Sequence, residues 1–262
     1  MKICDDSEII YDIFTDEKEN ITIDKLLNEI EFHQMKSQQS LVPRLVAIQG
    51  EITNGLKPLY RHPADEQPVL KPFTLTTKLI LDKLNKMLNL KMNHVLIQLY
   101  RDGEDNIGEH SDKTLDILKS TPIVNYTVGE TRTLRLRNKV TKQKEYIELK
   151  DNSLFILGTE TNKKWLHGIK SNSLIKGARI SFTFRTIATF IDESGEITGQ
   201  GASSKLINEN ENENKNLINE NSDDSLEMLK AFSKENHESD FNWEKYYGKG
   251  FNALNFKFMD KV

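Results

Sequence analysis

Between residues 22 and 31 (TIDKLLNEIE) the apolar positions Ile23, Leu26, Leu27 and Ile30 recur at three- and four-residue intervals, which predicts a short amphipathic helix, and Thr22 stands where a hydroxyl caps a first turn. Residues 41–50 (LVPRLVAIQG) change to a β-branched apolar run that ends at glycine, the pattern of a strand. Prolines 58, 63, 68 and 72 then break periodicity over 53–72 and predict a long loop, functional or mobile. Helical spacing returns in FTLTTKLILDKLNKMLNL, with Ile80, Leu84, Met87 and Leu88 on one face.

From residue 93 the texture is that of strands. NHVLIQLYRDG, TPIVNYTVGETRTLRLRN, EYIELKDNSLFILG, KWLHGIK and GARISFTFRTIATF are rich in β-branched and aromatic residues and are separated by turn formers. Many strands with no helix between them predict an antiparallel sandwich, giving a mainly β (α+β) chain: a jelly roll with N-terminal flanking helices and a C-terminal extension. Residues 208–224 (NENENENKNLINENSDD) carry almost no apolar groups and cannot offset the entropy of ordering, so a flexible linker is expected over 191–224. Beyond it DSLEMLKAF has Asp224 and Glu227 at capping-box spacing, and DFNWEKYYGKGFNALNFKF is dense in aromatics that the main domain or a partner must bury.

Composition narrows the class. A net charge of −4 with both signs plentiful excludes a uniformly basic nucleic-acid coat, so any polyanion site must be local. The one run that suits such a site is 131–144 (TRTLRLRNKVTKQK), with Arg132, Arg135, Arg137, Lys139, Lys142 and Lys144 and no acid. It reads equally as a solvated hairpin or as a phosphate-binding edge. A single cysteine, Cys4, rules out an internal disulfide and a cysteine-ligated zinc site, which fits an intracellular protein, nuclear or cytoplasmic. No run approaches a membrane span, and the acidic start lacks the blocks of a signal peptide.

The candidate chemistry begins at IGEHSD. His110 and Asp112 are two residues apart, so at a strand end both side chains project to one side and can reach one metal ion. Alone the pair decides little. Two imidazoles and one carboxylate on one face of an octahedron make the ligand set of iron(II) oxygenases, and His167 in KWLHGIK can supply the third donor. In RISFTFR, alternation puts Arg179, Ser181, Thr183 and Arg185 on one face and Ile180, Phe182 and Phe184 on the other. Two inward guanidiniums suit a small dicarboxylate, which each can grip through paired charge-assisted bonds.

In order and spacing these segments resemble the AlkB family of iron(II) and 2-oxoglutarate-dependent dioxygenases, its nucleic-acid dealkylating branch above all. QLYRDGEDNIGEHSD resembles the family's N-x-Y segment running into G-x-x-x-I-G-x-H-x-D, RISFTFR its R-x-N-x-T-x-R strand, and VPRLVAIQG the strand before its substrate-facing loop. The resemblance implies that His110, Asp112 and His167 bind iron(II) and are catalytic, and that Tyr100, Arg179, Thr183 and Arg185, with Gln98 in place of the family's Asn, line the 2-oxoglutarate pocket. The organisation expected is an N-terminal segment over 1–40, an oxygenase domain over 41–190, the linker, and an extension over 225–262; in the tail from 191 onward the GQGA turn and the closing DFNWEKYYGKGF block resemble those of uncharacterised fungal relatives. The implied substrate is alkylated nucleic acid, held in part by hairpin 131–144. Lys113-Thr114 stands where the nucleobase-acting members carry further acids, so a protein substrate such as a methylated histone side chain stays open, as does a non-catalytic binding module. Oligomeric state is not legible in the sequence.

Overall fold

The computed structural model describes residues 1–15, 21–37, 40–203 and 223–259. In chain order its two main sheets are built from β1 (Glu8–Ile10), β2 (Leu45–Gly50), β3 (His94–Tyr100), β4 (Ile107–His110), β5 (Ile123–Gly129), β6 (Arg132–Asn138), β7 (Lys144–Leu149), β8 (Ser153–Leu157), β9 (Trp165–Ile169) and β10 (Arg179–Arg185). The helices are α1 (Ile23–Glu29), α2 (Leu75–Leu88), α3 (Thr159–Lys164), α4 (Asp223–His237) and α5 (Trp243–Tyr247). A six-stranded sheet runs β1-β8-β5-β10-β3-β2 and a four-stranded sheet β7-β6-β9-β4. Within both, every pairing is antiparallel. This is the expected jelly roll.

Alternation along the large sheet creates two cores. Val95, Ile97, Val124, Tyr126, Ile180, Phe182 and Phe184 face outward onto Leu26 and Ile30 around α1 and onto Ile80, Leu81 and Leu84 of α2. Tyr100, Ile123, Phe155 and Leu157 face inward and meet Leu134, Leu136, Ile147, Leu149, Trp165 and Ile169 of the small sheet. The N-caps stand where the sequence put one and where α2 needed one: Thr22 Oγ1 accepts from Lys25 N at 3.3 Å, and Thr74 Oγ1 from Thr77 N at 3.4 Å. On α2 the buried face is Ile80, Leu81 and Leu84, whereas Met87 is 48% exposed, because a helix that covers a sheet from one side buries a narrow stripe.

Two expectations need correction, and one left open is decided. A short helix, α3, interrupts the strands, and it was invisible because TETNKK has neither apolar periodicity nor a capping side chain of its own; Asp6 supplies the cap from the N-terminal segment, accepting from Glu160 N and Thr161 N at 2.9 Å. Within the linker expected over 191–224, Ile197–Gly199 pairs with Thr189–Ile191, so the first part is strand; residues 204–222 lie outside the described residues. The proline-rich stretch 53–72, left open as functional or mobile, is anchored. Arg61, fully buried, donates through Nη2 to Asp116 Oδ1 at 2.7 Å and to Gly201 O at 2.8 Å, and through Nη1 to Phe251 O at 2.8 Å.

That guanidinium also brings the C-terminal extension home. Met228, Phe232, Phe241, Tyr247 and Phe251 pack with Leu115, and Leu254 and Phe256 with Val46 and Leu59, so the domain itself covers these terminal aromatics. Breaking a buried pair strands the remaining charge, at a cost of roughly 3–5 kcal/mol. Arg61→Met is therefore expected to lower the melting temperature by at least about 6 °C in a protein of this size. A thermal melt within about 2 °C of wild type would show that Arg61 does not hold these segments together.

Candidate metal centre and its pocket

Sheet register assembles the centre. His110 at the end of β4 and His167 in β9 are cross-strand partners, with ring centroids 4.3 Å apart. Asp112, just past the strand end, places Oδ1 3.6 Å from His110 Nε2 and 3.8 Å from His167 Nε2. Donor atoms of the three lie within 4.8 Å of one another, close enough to hold one ion. They are the sole His, Cys, Asp or Glu cluster of this kind among the described residues.

Neighbours aim His110 and Asp112, whereas His167 Nδ1 is buried without a hydrogen-bond partner among the described residues. His110 Nδ1 lies 2.9 Å from Gly108 O, so the Nδ1–H tautomer donates there and leaves Nε2 as a lone-pair donor toward the centre. Asp112 is held at both ends of its peptide, because Asn162 Oδ1 accepts from Asp112 N and Asn162 Nδ2 donates to Asp112 O, both at 2.9 Å. Its Oδ2 accepts from Arg185 Nη2 at 2.7 Å, which turns Oδ1 to the histidines. Burial alone would raise the Asp112 pKa, but Arg185 and the two imidazoles hold it well below the carboxylate range. Burial, reinforced by His110, drives His167 down to about 3, so at neutral pH it is the neutral imidazole a metal requires.

Above the triad opens a cavity of about 700 Å³ lined by the polar face of β10. All four residues that alternation predicted, Arg179, Ser181, Thr183 and Arg185, point into it, while Ile180, Phe182 and Phe184 fill the opposite core. Arg179 donates through Nη2 to Thr127 Oγ1 at 3.0 Å and to Asn125 Oδ1 at 3.4 Å. Its Nε and Nη1 are buried and find no acceptor among the described residues. Burial lowers Arg179 to about 10, which still leaves it charged at neutral pH, so half of a buried guanidinium awaits an anion. Tyr100, opposite Arg179 in the sheet, sets its ring 5.2 Å from that guanidinium.

Two pocket residues sit differently from expectation. Gln98 lines the cavity, but with its amide turned to satisfy both ends its carbonyl accepts from Arg44 Nε at 3.0 Å and Nη2 at 3.3 Å. The hydroxyl of Thr183 is taken by Asn125 Nδ2 at 2.9 Å, as that of Ser181 is at 2.7 Å. Asn125 and Thr127 were legible in principle, since Ile123, Asn125 and Thr127 alternate along β5 in the same way as the β10 row. Arg44, Asn162 and Tyr60, whose ring lies 4.1 Å from the Arg185 guanidinium and whose hydroxyl accepts from Lys113 N at 3.2 Å, left no such signal. Of the histidines to which the residue pattern assigned no role, His94 is buried and half-buried His62 lines the cavity, where desolvation lowers it to about 4.

Hairpin 131–144 is not a free cationic face. Arg132 is buried and donates to the carbonyls of Asp102, Gly103, Asp105 and Lys170. Arg135 and Arg137 both pair with Glu109 at 2.7 Å. Lys139 is buried and donates to Glu235 O at 2.6 Å, and Lys142 Nζ reaches Lys139 O. Lys142 and Lys144 keep exposed side chains.

Comparison with known proteins agrees with this geometry. The model of the 2OG-Fe(II) oxygenase superfamily matches residues 6–185. An uncharacterised protein of Acanthamoeba polyphaga mimivirus is 33% identical over 115 residues, 44% of this chain and 60% of that one. DNA oxidative demethylase ALKBH2 of Homo sapiens is 29% identical over 125 residues, 45% of this chain and 48% of the relative. The chain thus spans about half the length of the curated relatives it matches. The solved structure of OsALKBH1 superimposes with a TM-score of 0.51 over 71% of this chain and 99% of that one, at 13% identity, which shows a shared fold.

Removing one imidazole from a three-donor site leaves two donors, so His110→Ala is expected to abolish Mn(II) or Co(II) binding in a calorimetric titration while the thermal melt stays near wild type. Asp112→Ala should differ. It leaves Arg185, 3% exposed, without its carboxylate, and should cost roughly 3 kcal/mol of stability as well as the metal. Undiminished metal binding in either variant would remove these residues from the centre.

Proposed function

The chain belongs to the 2OG-Fe(II) oxygenase superfamily as an AlkB-like member, which brings iron(II) and 2-oxoglutarate as its cofactors, and we propose that His110, Asp112 and His167 hold the iron while Arg179 takes a carboxylate of 2-oxoglutarate. The observation that carries this is the pairing of a ready metal site with a charged guanidinium whose Nε and Nη1 are buried and unpartnered in the same cavity. The donor set fits iron(II), and the unpartnered Nε–H and Nη1–H each offer a carboxylate oxygen a charge-assisted bond. Tyr100, Ser181 and Thr183 complete the co-substrate wall, and Arg185 acts through Asp112 by fixing which carboxylate oxygen faces the histidines.

The substrate proposed is alkylated DNA, after the relatives named DNA oxidative demethylase, or RNA carrying the same modified bases. When bound, iron(II), 2-oxoglutarate and dioxygen supply the hydroxylation of an N-methyl carbon with release of succinate and carbon dioxide, after which the N-hydroxymethyl group leaves as formaldehyde and the nitrogen recovers its hydrogen. The chain's own contribution is to orient the two cofactors and to exclude water from a deep cavity. A base within a duplex must be flipped out to enter it. At the hairpin exposed Lys144, and Lys142 on giving up its bond to Lys139 O, are the cations that can meet phosphate, which they would neutralise without reading sequence.

Three measurements test this reading. Purified protein should convert 2-oxoglutarate to succinate only with iron(II), and Arg179→Ala should raise the KM for 2-oxoglutarate by roughly tenfold or more, the worth of a charge-assisted bond. Methylated oligonucleotides and methylated histone peptides, assayed side by side by mass, should show loss of methyl groups from the oligonucleotides; loss from the peptides alone would transfer the proposal to a protein substrate. Replacing Lys142 and Lys144 with Gln should flatten the slope of log affinity against log salt by about 0.9 for each duplex phosphate that is no longer neutralised. An unchanged slope would place the nucleic acid elsewhere.

A further inference from the structure

Residues 223–259 lie beyond the part of the chain that matches the oxygenase family, yet they grip the turn that carries Asp112. The backbone N–H groups of residues 111 to 114 are all satisfied by side chains. Ser111 N donates to Asn236 Oδ1 at 2.9 Å, Asp112 N to Asn162 Oδ1, Lys113 N to the Tyr60 hydroxyl, and Thr114 N to the Glu235 carboxylate at 3.1 Å. No sheet ladder fixes this turn, so its conformation depends on those four acceptors. Two of the four come from adjacent residues of α4.

Asn236 does more than cap one amide. Its Oδ1 also accepts from Lys113 Nζ at 3.3 Å and from Ser111 Oγ at 3.5 Å, so a single oxygen collects donors from the residues on either side of Asp112. The helix that delivers it is locked in place. Lys139 Nζ donates to the carbonyls of Glu235 in the last turn and of Glu238 just past it, Glu235 accepts from the Tyr247 hydroxyl at 2.6 Å, and Trp243 Nε1 donates to Thr114 O at 3.2 Å. The same helix presents Leu229, Ser233, Asn236 and His237 to the cavity above the triad.

Building on the metal reading above, we infer that Asn236 is a positioning residue of the metal centre: through Oδ1 it holds the Ser111–Lys113 turn so that Asp112 meets the two histidines, which makes α4 part of the active site. The C-terminal extension is then required for metal affinity and not merely for burial of its own aromatics. Hydrogen-bond partners that orient metal ligands are typically worth 10–100-fold in metal affinity.

The test compares Asn236→Leu, which fills the same volume without an acceptor, with Asn236→Asp, which keeps the acceptor oxygen. Mn(II) and Co(II) affinity, the visible spectrum of the Co(II) form and the metal-free thermal melt are measured for each. Asn236→Leu should weaken metal binding at least tenfold and shift the Co(II) bands while the metal-free melt stays close to wild type; Asn236→Asp should stay within about threefold of wild type with unshifted bands. If the Leu variant is unfolded at the assay temperature, Asn236→Ala, on the half-buried cavity face, takes its place with the same expectation. Wild-type affinity in the Leu or Ala variant, or equal losses in Leu and Asp, overturns the positioning role. Failure of the wild-type protein to bind either metal overturns instead the reading of the triad, and the two results cannot be confused.

Discussion

The contact between Arg185 and Asp112 is the constraint around which this molecule is organised. A carboxylate set between two imidazoles cannot be left buried without a counter-charge, and a guanidinium at the inner end of β10 cannot be left there without an anion. The 2.7 Å bond satisfies both at once. It also ties the large sheet, which carries Arg185, to the turn that leaves the small sheet's edge strand, which carries Asp112. The histidines then need only the β4–β9 register to arrive opposite each other.

The rest of the polar interior follows the same logic with one difference. Arg61 and Asp116 are as deeply buried as the Arg185 pair, but Arg61 spends its remaining donors on the carbonyls of Gly201, Phe251 and Ala253. It is saturated, and its role is to fasten chain segments. Arg179 keeps Nε and Nη1 unspent in a cavity that leads to the triad. Both arginines are buried; what separates a structural one from a binding one is whether its donors are already used.

Charge counts alone mislead for the same reason. Hairpin 131–144 carries six cations and no acid, yet Arg132 and Lys139 are committed to backbone carbonyls and Arg135 and Arg137 to Glu109. Lys139 in particular is spent at the C-terminal end of α4, where a cation meets the partial negative charge of unpaired carbonyls. The hairpin therefore helps to dock the C-terminal extension against the metal-site turn, a task that a run of basic residues does not announce.

What the sequence determined by itself was everything governed by short-range periodicity. The period of two in RISFTFR set which residues face the cavity and which the core, the two-residue spacing in HSD set His110 and Asp112 close together, and threonines and apolar stripes set α1 and α2. Only the tertiary structure decided the contacts made across long separations. Asn162 reaches Asp112 from 50 residues away and Asn236 reaches Ser111 from 125, each through an amide whose type is common on any surface. Helix α3 likewise owes its cap to Asp6, more than 150 residues earlier. A hydrogen bond depends on a few ångströms and a direction, and neither is encoded in residue type or spacing until the sheets have brought the partners together.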